Sequence, residues 1–369
     1  MHLRRRQRFM AAGVAAVATA LSLAACSSSS SSSAPSGGST SSPAAGSSSS
    51  GAALSGTLNG SGSTFQTVYQ QTAISSFKSV QPNMTVNYGA GGSGKGRTDL
   101  ASGVVNFAGS DSPIPSAEQA NFKGKTVLYF PVFLGPITVS YNLSGVTGLK
   151  LDATTLAEIF SGKITTWNNS AIAALNSGVK LPSTPITLAV RSDSSGTTQN
   201  FSLYLETAAK SAWTLGSSST IKWPSTARAG AGNPGVAQII KSTPGAIGYV
   251  DYADAKASGL SYASVKNSSG AYVAPSPQAA SAAGAGITIA PDLTFHAVDA
   301  SGATAYPITY QSWVLVYETQ PNANDAAMLK AYIGYLIGAG QQLLGGLGYA
   351  PLPSGLQQKA QAQLSEITS

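Results

Sequence analysis

Apolar and polar positions alternate along much of the chain after residue 54, and the alternation changes period repeatedly. Met84, Val86 and Tyr88 keep the two-residue period of a half-buried strand, and the glycines after them lead into a short polar helix beginning near Lys95. Val104 to Ala108 is a second apolar run, ending at Gly109-Ser110-Asp111. Two strands are predicted next, at Val127–Phe133 and Ile137–Tyr141. A further strand at Ile186–Val190 runs into Arg191-Ser192-Asp193-Ser194-Ser195-Gly196-Thr197, with helical Phe201, Leu203, Tyr204 and Leu205 behind it. Residues 266–288 are rich in Ala, Ser and Gly and read as a surface loop or weak helix. Asp325 to Leu347 has the spacing of one or two packing helices. This strand–loop–helix rhythm predicts an α/β fold with mostly parallel sheets, whose ligands sit at the carboxyl ends of strands. No internal repeat is visible.

The first 53 residues follow a different grammar. Arg4, Arg5, Arg6 and Arg8 precede an apolar run from Met10 to Leu23, the architecture of a secretory signal. That run is too short for a membrane span and contains Gly13 and Thr19. Leu23-Ala24-Ala25-Cys26 resembles a bacterial lipobox, so residues 1–25 are expected to be a lipoprotein signal peptide and Cys26 the lipidated residue. Residues 26–53, nearly all Ser, Gly, Ala, Pro and Thr after the cysteine, have too little apolar surface to order themselves and read as a flexible tether. The body is therefore expected on the outer face of the cell membrane. Cys26 is the sole cysteine, which leaves no disulfide within the chain. The formal charge of +7 misleads, because four of the 21 basic residues lie in the leader and none of the 14 acidic ones do, leaving +3. Without a basic run in the body, nucleic acid is not an expected partner.

Candidate chemistry sits in the loops. Gly89 through Lys95 matches the G-x-x-x-x-G-K of a nucleotide-binding P-loop, but the Ser or Thr that should follow is Gly96. Two other loops share the mixture of glycine and hydroxyl residues: Gly60-Ser61-Gly62-Ser63-Thr64-Phe65 and Ser194-Ser195-Gly196-Thr197. Glycines let backbone N–H groups approach a ligand, hydroxyls add donors, and a helix start adds partial positive charge. Each loop alone is an ordinary capped turn. Three of them, with Arg191 beside one, point to an oxyanion site.

These segments resemble, in order, the ligand loops of the bacterial phosphate-binding protein family, the extracytoplasmic receptors of phosphate ABC importers. The resemblance runs through Gly-Ser-Gly-Ser-Thr-Phe65, Tyr88-Gly-Ala-Gly-Gly-Ser93, Phe107-Ala-Gly-Ser-Asp111 and Arg191-Ser-Asp-Ser-Ser-Gly-Thr197. It continues in Leu156 through Trp167, Gly232-Asn-Pro-Gly-Val236 and Pro244 through Val250, covering about residues 54–355. It implies the periplasmic-binding-protein fold of type II, two α/β lobes joined by two crossover strands, with the ligand in the cleft. The crossings are expected near Phe133–Tyr141 and Ala305–Tyr310, giving lobe one as 54–140 with 300–369 and lobe two as 141–299. The implied ligand is inorganic phosphate, and the implied partners are the membrane subunits of an importer, with the receptor a monomer. Phosphate-binding positions carried over by motif are Thr64, Phe65, Ser93, Asp111, Arg191, Ser195, Gly196 and Thr197. Asp193 would orient the arginine, and Asp111 would be the acceptor that distinguishes phosphate from sulfate. Three residues depart from the family pattern. Lys95 and Arg97 follow Ser93 and would add positive potential near the cleft, and Ser194 stands where glycine is usual.

Catalysis is not expected. One histidine remains beyond the leader, His296, in a strand-like apolar context, and no G-x-S-x-G elbow occurs. One cysteine and one histidine cannot build a Cys/His metal site, so neither metal nor cofactor is predicted. A carboxylate phosphatase using Asp111 and Asp193 would lack a metal or covalent nucleophile. Asp251 is the sole carboxylate a nucleotide site could recruit, and the resemblance makes its segment structural. Trp167, Trp213, Trp223 and Trp313 are assigned to packing. The competing readings are a receptor of this fold for another tetrahedral oxyanion, or a surface scavenger or adhesin without a transporter.

Overall fold

The computed structural model describes residues 54–369. The leader, Cys26 and the tether expected over 1–53 lie outside the described residues. The strands in chain order begin with β1 (Gly56–Gly62), β2 (Met84–Ala90), β3 (Phe107–Ser110), β4 (Val127–Tyr141) and the short β5 (Lys150–Leu151). They continue with β6 (Thr187–Arg191), β7 (Arg228–Gly230), β8 (Ala246–Asp251), β9 (Ser261–Tyr262), β10 (Ser264–Lys266), β11 (Tyr272–Val273) and β12 (Thr309–Tyr317).

One curled sheet carries the architecture, in the order β2-β1-β3-β12-β4-β8-β6-β7, with β9 beside β4. The parallel pairs are β1 with β2 and β3, and β6 with β7 and β8. These are the strands followed by helices, as a crossover connection requires. The expectation of mostly parallel sheets holds for these two groups but fails at the centre. There β12 runs antiparallel to both β3 and β4, and β4 antiparallel to β8.

The two strands predicted at Val127–Phe133 and Ile137–Tyr141 are one continuous strand. Gly135 and Pro136 mark a change of partner rather than a break. Val127 to Pro136 pairs with β12, and Ile137 to Tyr141 pairs with β8. A register shift at Ser312/Trp313 accompanies Pro131, whose missing N–H an unbroken ladder would feel.

Fourteen of the fifteen residues of β4 are buried, so this strand is the spine of the core. On its first half Phe133 packs against Phe65, Tyr69 and Tyr349, and Phe65 stacks on Tyr310 with ring centroids 4.1 Å apart. On its second half Tyr141 meets Trp167. Phe160, Phe201, Trp223 and Tyr249 form a neighbouring aromatic cluster. Trp167, Trp213 and Trp313 are buried with their indole N–H on carbonyls, and Trp223 is half-buried in that cluster. Each therefore sits in packing.

Two surface expectations change. Residues 266–288 contain β11 and the helix Pro277–Gly284, whose Ala279, Ala280 and Ala283 are buried against β4. The helix alternative of the two holds, and its buried alanines mark close helix–sheet approach rather than a surface position. His296 is exposed and its segment joins no ladder: residues 291–293 form a turn with Leu293 at φ 61°, and 294–297 pair with no strand.

Candidate anion site

Every chemically distinctive loop emerges from the carboxyl end of a strand in the curled sheet. β1 leads to Ser63, Thr64 and Phe65, and β2 to Gly92 and the helix Ser93–Ala101. β3 leads to Asp111, β6 to Arg191 and Asp193, and β7 to Asn233. β8 ends at Asp251. The antiparallel β12 runs past them and contributes Tyr310, Gln311 and Ser312. The eight positions transferred by motif thus converge, although they span 134 residues of chain from Thr64 to Thr197.

Arg191 is the fixed cation. Its side chain is 1% exposed and is gripped by Asp193 through Nε at 2.8 Å and through Nη2. Its Nη1 donates to the Thr197 hydroxyl at 3.2 Å and to Asn233 Oδ1 at 3.4 Å. Burial would raise the Asp193 pKa, but the hydrogen bonds and charge of Arg191 outweigh it and hold the carboxyl below its ordinary value. Asp193 also accepts the Gly232 N–H, tying the loops after β6 and β7 together. Asp193 therefore pairs with Arg191 through two nitrogens, a bidentate geometry that leaves the guanidinium little rotational freedom.

Asp111 is 1% exposed and is held almost wholly by hydroxyls. Ser63 Oγ lies 2.7 and 2.6 Å from its two carboxylate oxygens, Ser312 donates to Oδ1, and Ser93 approaches Oδ2 at 3.3 Å. Burial pushes its pKa up to about 6, against the lowering effect of Ser312, Ser63, the Arg191 charge and Ser93. A carboxyl so placed changes charge within reach of neutral pH.

The helix Gly196–Ala208 starts at the same point. Ser195 caps it, accepting the Thr198 N–H at 3.1 Å, while the Ser195 N–H is engaged by the Ser219 carbonyl at 2.9 Å. The first N–H groups of this helix lack intrahelical acceptors and carry the positive end of its dipole. A Cβ at Gly196 would meet Ser93 Oγ at 2.5 Å and Asp111 Cβ at 2.6 Å, so the helix start abuts the Asp111 loop directly. The Phe65 ring is committed to the stack on Tyr310, its backbone N–H lies 3.1 Å from Ser63 Oγ and its carbonyl accepts the Tyr349 hydroxyl.

Several participants were not among the residues assigned to the ligand from the sequence. Ser63 and Ser312 hold Asp111, and Asn200 donates to the Asp111 carbonyl at 2.6 Å while accepting from Gln311 at 3.2 Å. Asn233 touches Thr64, Arg191 and Thr197 at once. The Tyr310 hydroxyl is buried without a hydrogen-bond partner among the described residues. Ser63 and Asn233 were inside quoted motifs, so position offered a hint; Ser312 joins from 201 residues away and offered none.

The added potential expected from Lys95 and Arg97 is not available to the cleft. Lys95 is exposed and paired with Asp99 at 2.7 Å, one helical turn on. Arg97 is buried and bound through two nitrogens to Glu118, with Nη1 toward Ser110 and Ser112. Both charges are matched locally by a carboxylate. Ser194 donates to Ser219 Oγ at 2.9 Å and presents its carbonyl to the Gly94 N–H at 3.0 Å. Among the described residues no group of three or more His, Cys, Asp or Glu is arranged to hold a metal ion.

A pocket of one arginine, oriented hydroxyls, free helix-start N–H groups and one carboxyl suits a small oxyanion that carries a proton. Comparison with known proteins agrees. A family model described as the PBP superfamily domain matches residues 47–339. The phosphate-binding protein PstS 3 of Mycobacterium leprae is 35% identical over 325 residues, 84% of this chain and 87% of that one. The phosphate-binding protein PstS of Pasteurella multocida is 34% identical over 314 residues, 83% of this chain and 89% of that one. Among solved structures, the phosphate-binding protein from Stenotrophomonas maltophilia superposes with a TM-score of 0.67 at 20% identity, covering 83% of this chain and 93% of that one. The chain belongs to the PBP superfamily and, within it, to the family of the phosphate-binding proteins PstS.

Proposed function

We propose that the protein binds inorganic phosphate outside the cytoplasm and delivers it to an ABC-type phosphate importer. The observation that carries this reading is the pairing of a buried, pre-oriented Arg191 with a buried carboxyl at Asp111 in one anion pocket. An arginine and oriented donors attract any oxyanion. A carboxylate is favourable only where the anion brings a proton for it to accept, as phosphate does near neutral pH and sulfate does not. In this reading Thr64, Phe65, Ser93, Ser195, Gly196 and Thr197 supply hydroxyl and N–H donors, Arg191 the charge, and Asp111 the acceptor. The family's name for its ligand supports the same assignment.

Two lobes, 54–140 with 300–369 and 141–299, would close on the anion, the chain passing between them where β4 changes its pairing partner and just before β12. Phosphate shifts the open–closed balance by its differential affinity for the two forms, and the closed monomer presents the surface that importer subunits read. Binding, rather than turnover, is the proposed activity, as the names of the relatives describe. Lipid on Cys26 would hold the protein at the membrane; no described helix is long and apolar enough to cross one. Cys26→Ser should release protein into the medium or leave the leader uncleaved, and identical partitioning of mutant and wild type into detergent would end the anchoring proposal.

Calorimetric titration with phosphate, arsenate, sulfate and ATP tests the function. Saturable phosphate binding displaced by arsenate, with sulfate and ATP much weaker, is expected. No phosphate heat, or sulfate binding as tightly as phosphate, would overturn it.

A further inference from the structure

Asn233 has no side-chain exposure to solvent and stands where the loops after β1, β6, β7 and β8 meet. Five hydrogen-bond contacts define its amide and backbone. Nδ2 donates to Asp251 Oδ2 at 2.6 Å and lies 3.3 Å from Thr64 Oγ1 and 3.5 Å from Thr197 Oγ1. Oδ1 accepts from Arg191 Nη1 at 3.4 Å, and the backbone N–H points to Thr64 Oγ1 at 3.3 Å. Turning the amide over would set its NH₂ against the Arg191 guanidinium, which can only donate. Asp251 is itself fixed, because its other oxygen caps the helix Tyr252–Ala257 by accepting the Asp254 N–H at 2.8 Å.

The consequence lies in the two threonines. A hydroxyl has two lone pairs and one proton, and without constraint it can either accept or donate. Thr64 Oγ1 faces two donors of Asn233, the backbone N–H and the amide. Thr197 Oγ1 faces Arg191 Nη1 and the same amide. Among the described residues Thr64 Oγ1 donates to none, and Thr197 Oγ1 can donate only toward the buried Tyr310 hydroxyl. With acceptor sites engaged behind them, the Thr64 proton is left for the pocket and the Thr197 proton for the pocket or Tyr310.

We infer that Asn233, held by Asp251, is a positioning residue that fixes the Thr64 and Thr197 hydroxyls as donors to the bound oxyanion. This inference rests on the phosphate-binding reading above and adds to it a cause for its donor set. Asn233 also links the loops after β1 and β7 across the pocket, so the donors are set only when those loops come together.

A double-mutant cycle on the full protein, read by phosphate calorimetry, separates positioning from packing. Asn233→Ala should weaken phosphate binding about ten- to hundredfold, the range for losing buried hydrogen-bond partners. In a Thr64→Val background, where no hydroxyl remains to orient, the same substitution should cost distinctly less, whereas a packing role would give costs that multiply independently. Asp251→Ala should reproduce the loss, and Asp251→Asn, whose single oxygen cannot serve both Asn233 and the Asp254 N–H, should show part of it. Thermal unfolding of each variant checks that it folds. Unchanged binding in Asn233→Ala, or independent costs in the cycle, overturns the inference. Absence of phosphate binding in the wild type would instead overturn the functional reading.

Discussion

At the scale of single residues, Asp111 carries the most information because it is the group an anion site should avoid. Its carboxyl is buried, and burial lifts its pKa to about 6. The sign of the resulting pH dependence follows from linkage. A carboxyl whose folded pKa exceeds its unfolded value favours the folded state when protonated, so its contribution is full below about pH 4 and is lost as pH rises through about 6. Selectivity should move the opposite way. Above pH 6 the carboxylate accepts from protonated phosphate and repels sulfate, whereas below it the neutral acid can donate to either. The phosphate-to-sulfate affinity ratio, measured by competition between pH 5 and 8, should therefore rise with pH. In Asp111→Asn, which keeps the size and can donate, the ratio should be lower and nearly flat. A wild-type ratio in that variant would remove Asp111 as the selectivity element. The sequence made this residue visible through its motif, but not its cage of three hydroxyls, one of which comes from Ser312 in another part of the chain.

At the scale of elements, the helix Ser93–Ala101 shows how a charge that looks functional can be structural. Arg97 is fully buried on this helix, and its pair with Glu118 clips the following 3₁₀ turn, Ser116–Phe122, to it. Ser110 and Ser112, also on its guanidinium, flank Asp111. Arg97→Met preserves length but strands these partners. Glu118 is 30% exposed and can rehydrate, so the cost should fall near the lower end of the range for breaking buried pairs, about 3 kcal/mol. Urea unfolding should show a lowered midpoint at unchanged slope, with weaker phosphate binding as the Asp111 loop loosens. A midpoint within error of wild type would contradict this role. Such pairing was illegible in sequence because Arg97 and Glu118 lie 21 residues apart on separate elements. The glycine-rich loops were legible because their function needs local features: a strand end, small residues and a helix start. The unity of β4 was not, since Gly135 and Pro136 imitate a turn and only the change of partner from β12 to β8 explains them. Alanines 279, 280 and 283 were likewise ambiguous, because small residues mark both mobile loops and tight packing.

At the scale of the whole molecule, the question is whether the two sides of the curled sheet must meet for the pocket to exist. The segments after β2 and β3 and the helix start after β6 touch at few places, among them the Gly94 N–H on the Ser194 carbonyl and Asn200 on the Asp111 carbonyl. Gly196 is the tightest of them. A Cβ there would lie 2.5 Å from Ser93 Oγ, 2.6 Å from Asp111 Cβ and 2.7 Å from Asp111 Oδ2, all closer than real Cβ contacts allow. The φ of Gly196 is not in the left-handed region, so alanine suits its backbone, and alanine is the better helix former by about 1 kcal/mol. Gly196→Ala is thus a wedge that obstructs apposition while leaving the helix itself as stable or more so. If phosphate is bound by closure, wild type should become more compact on adding phosphate, read as a fall in the radius of gyration by small-angle scattering. The variant should fold, keep an open-like radius with or without phosphate, and bind at least about tenfold more weakly, since its few remaining contacts come from one side. A variant that compacts and binds like wild type would mean that Ser93 and Asp111 shift aside at little cost, and that the pocket does not depend on this contact. Because the wedge touches both the acceptor and a donor loop without altering either residue, its effect would measure assembly of the site rather than its chemistry.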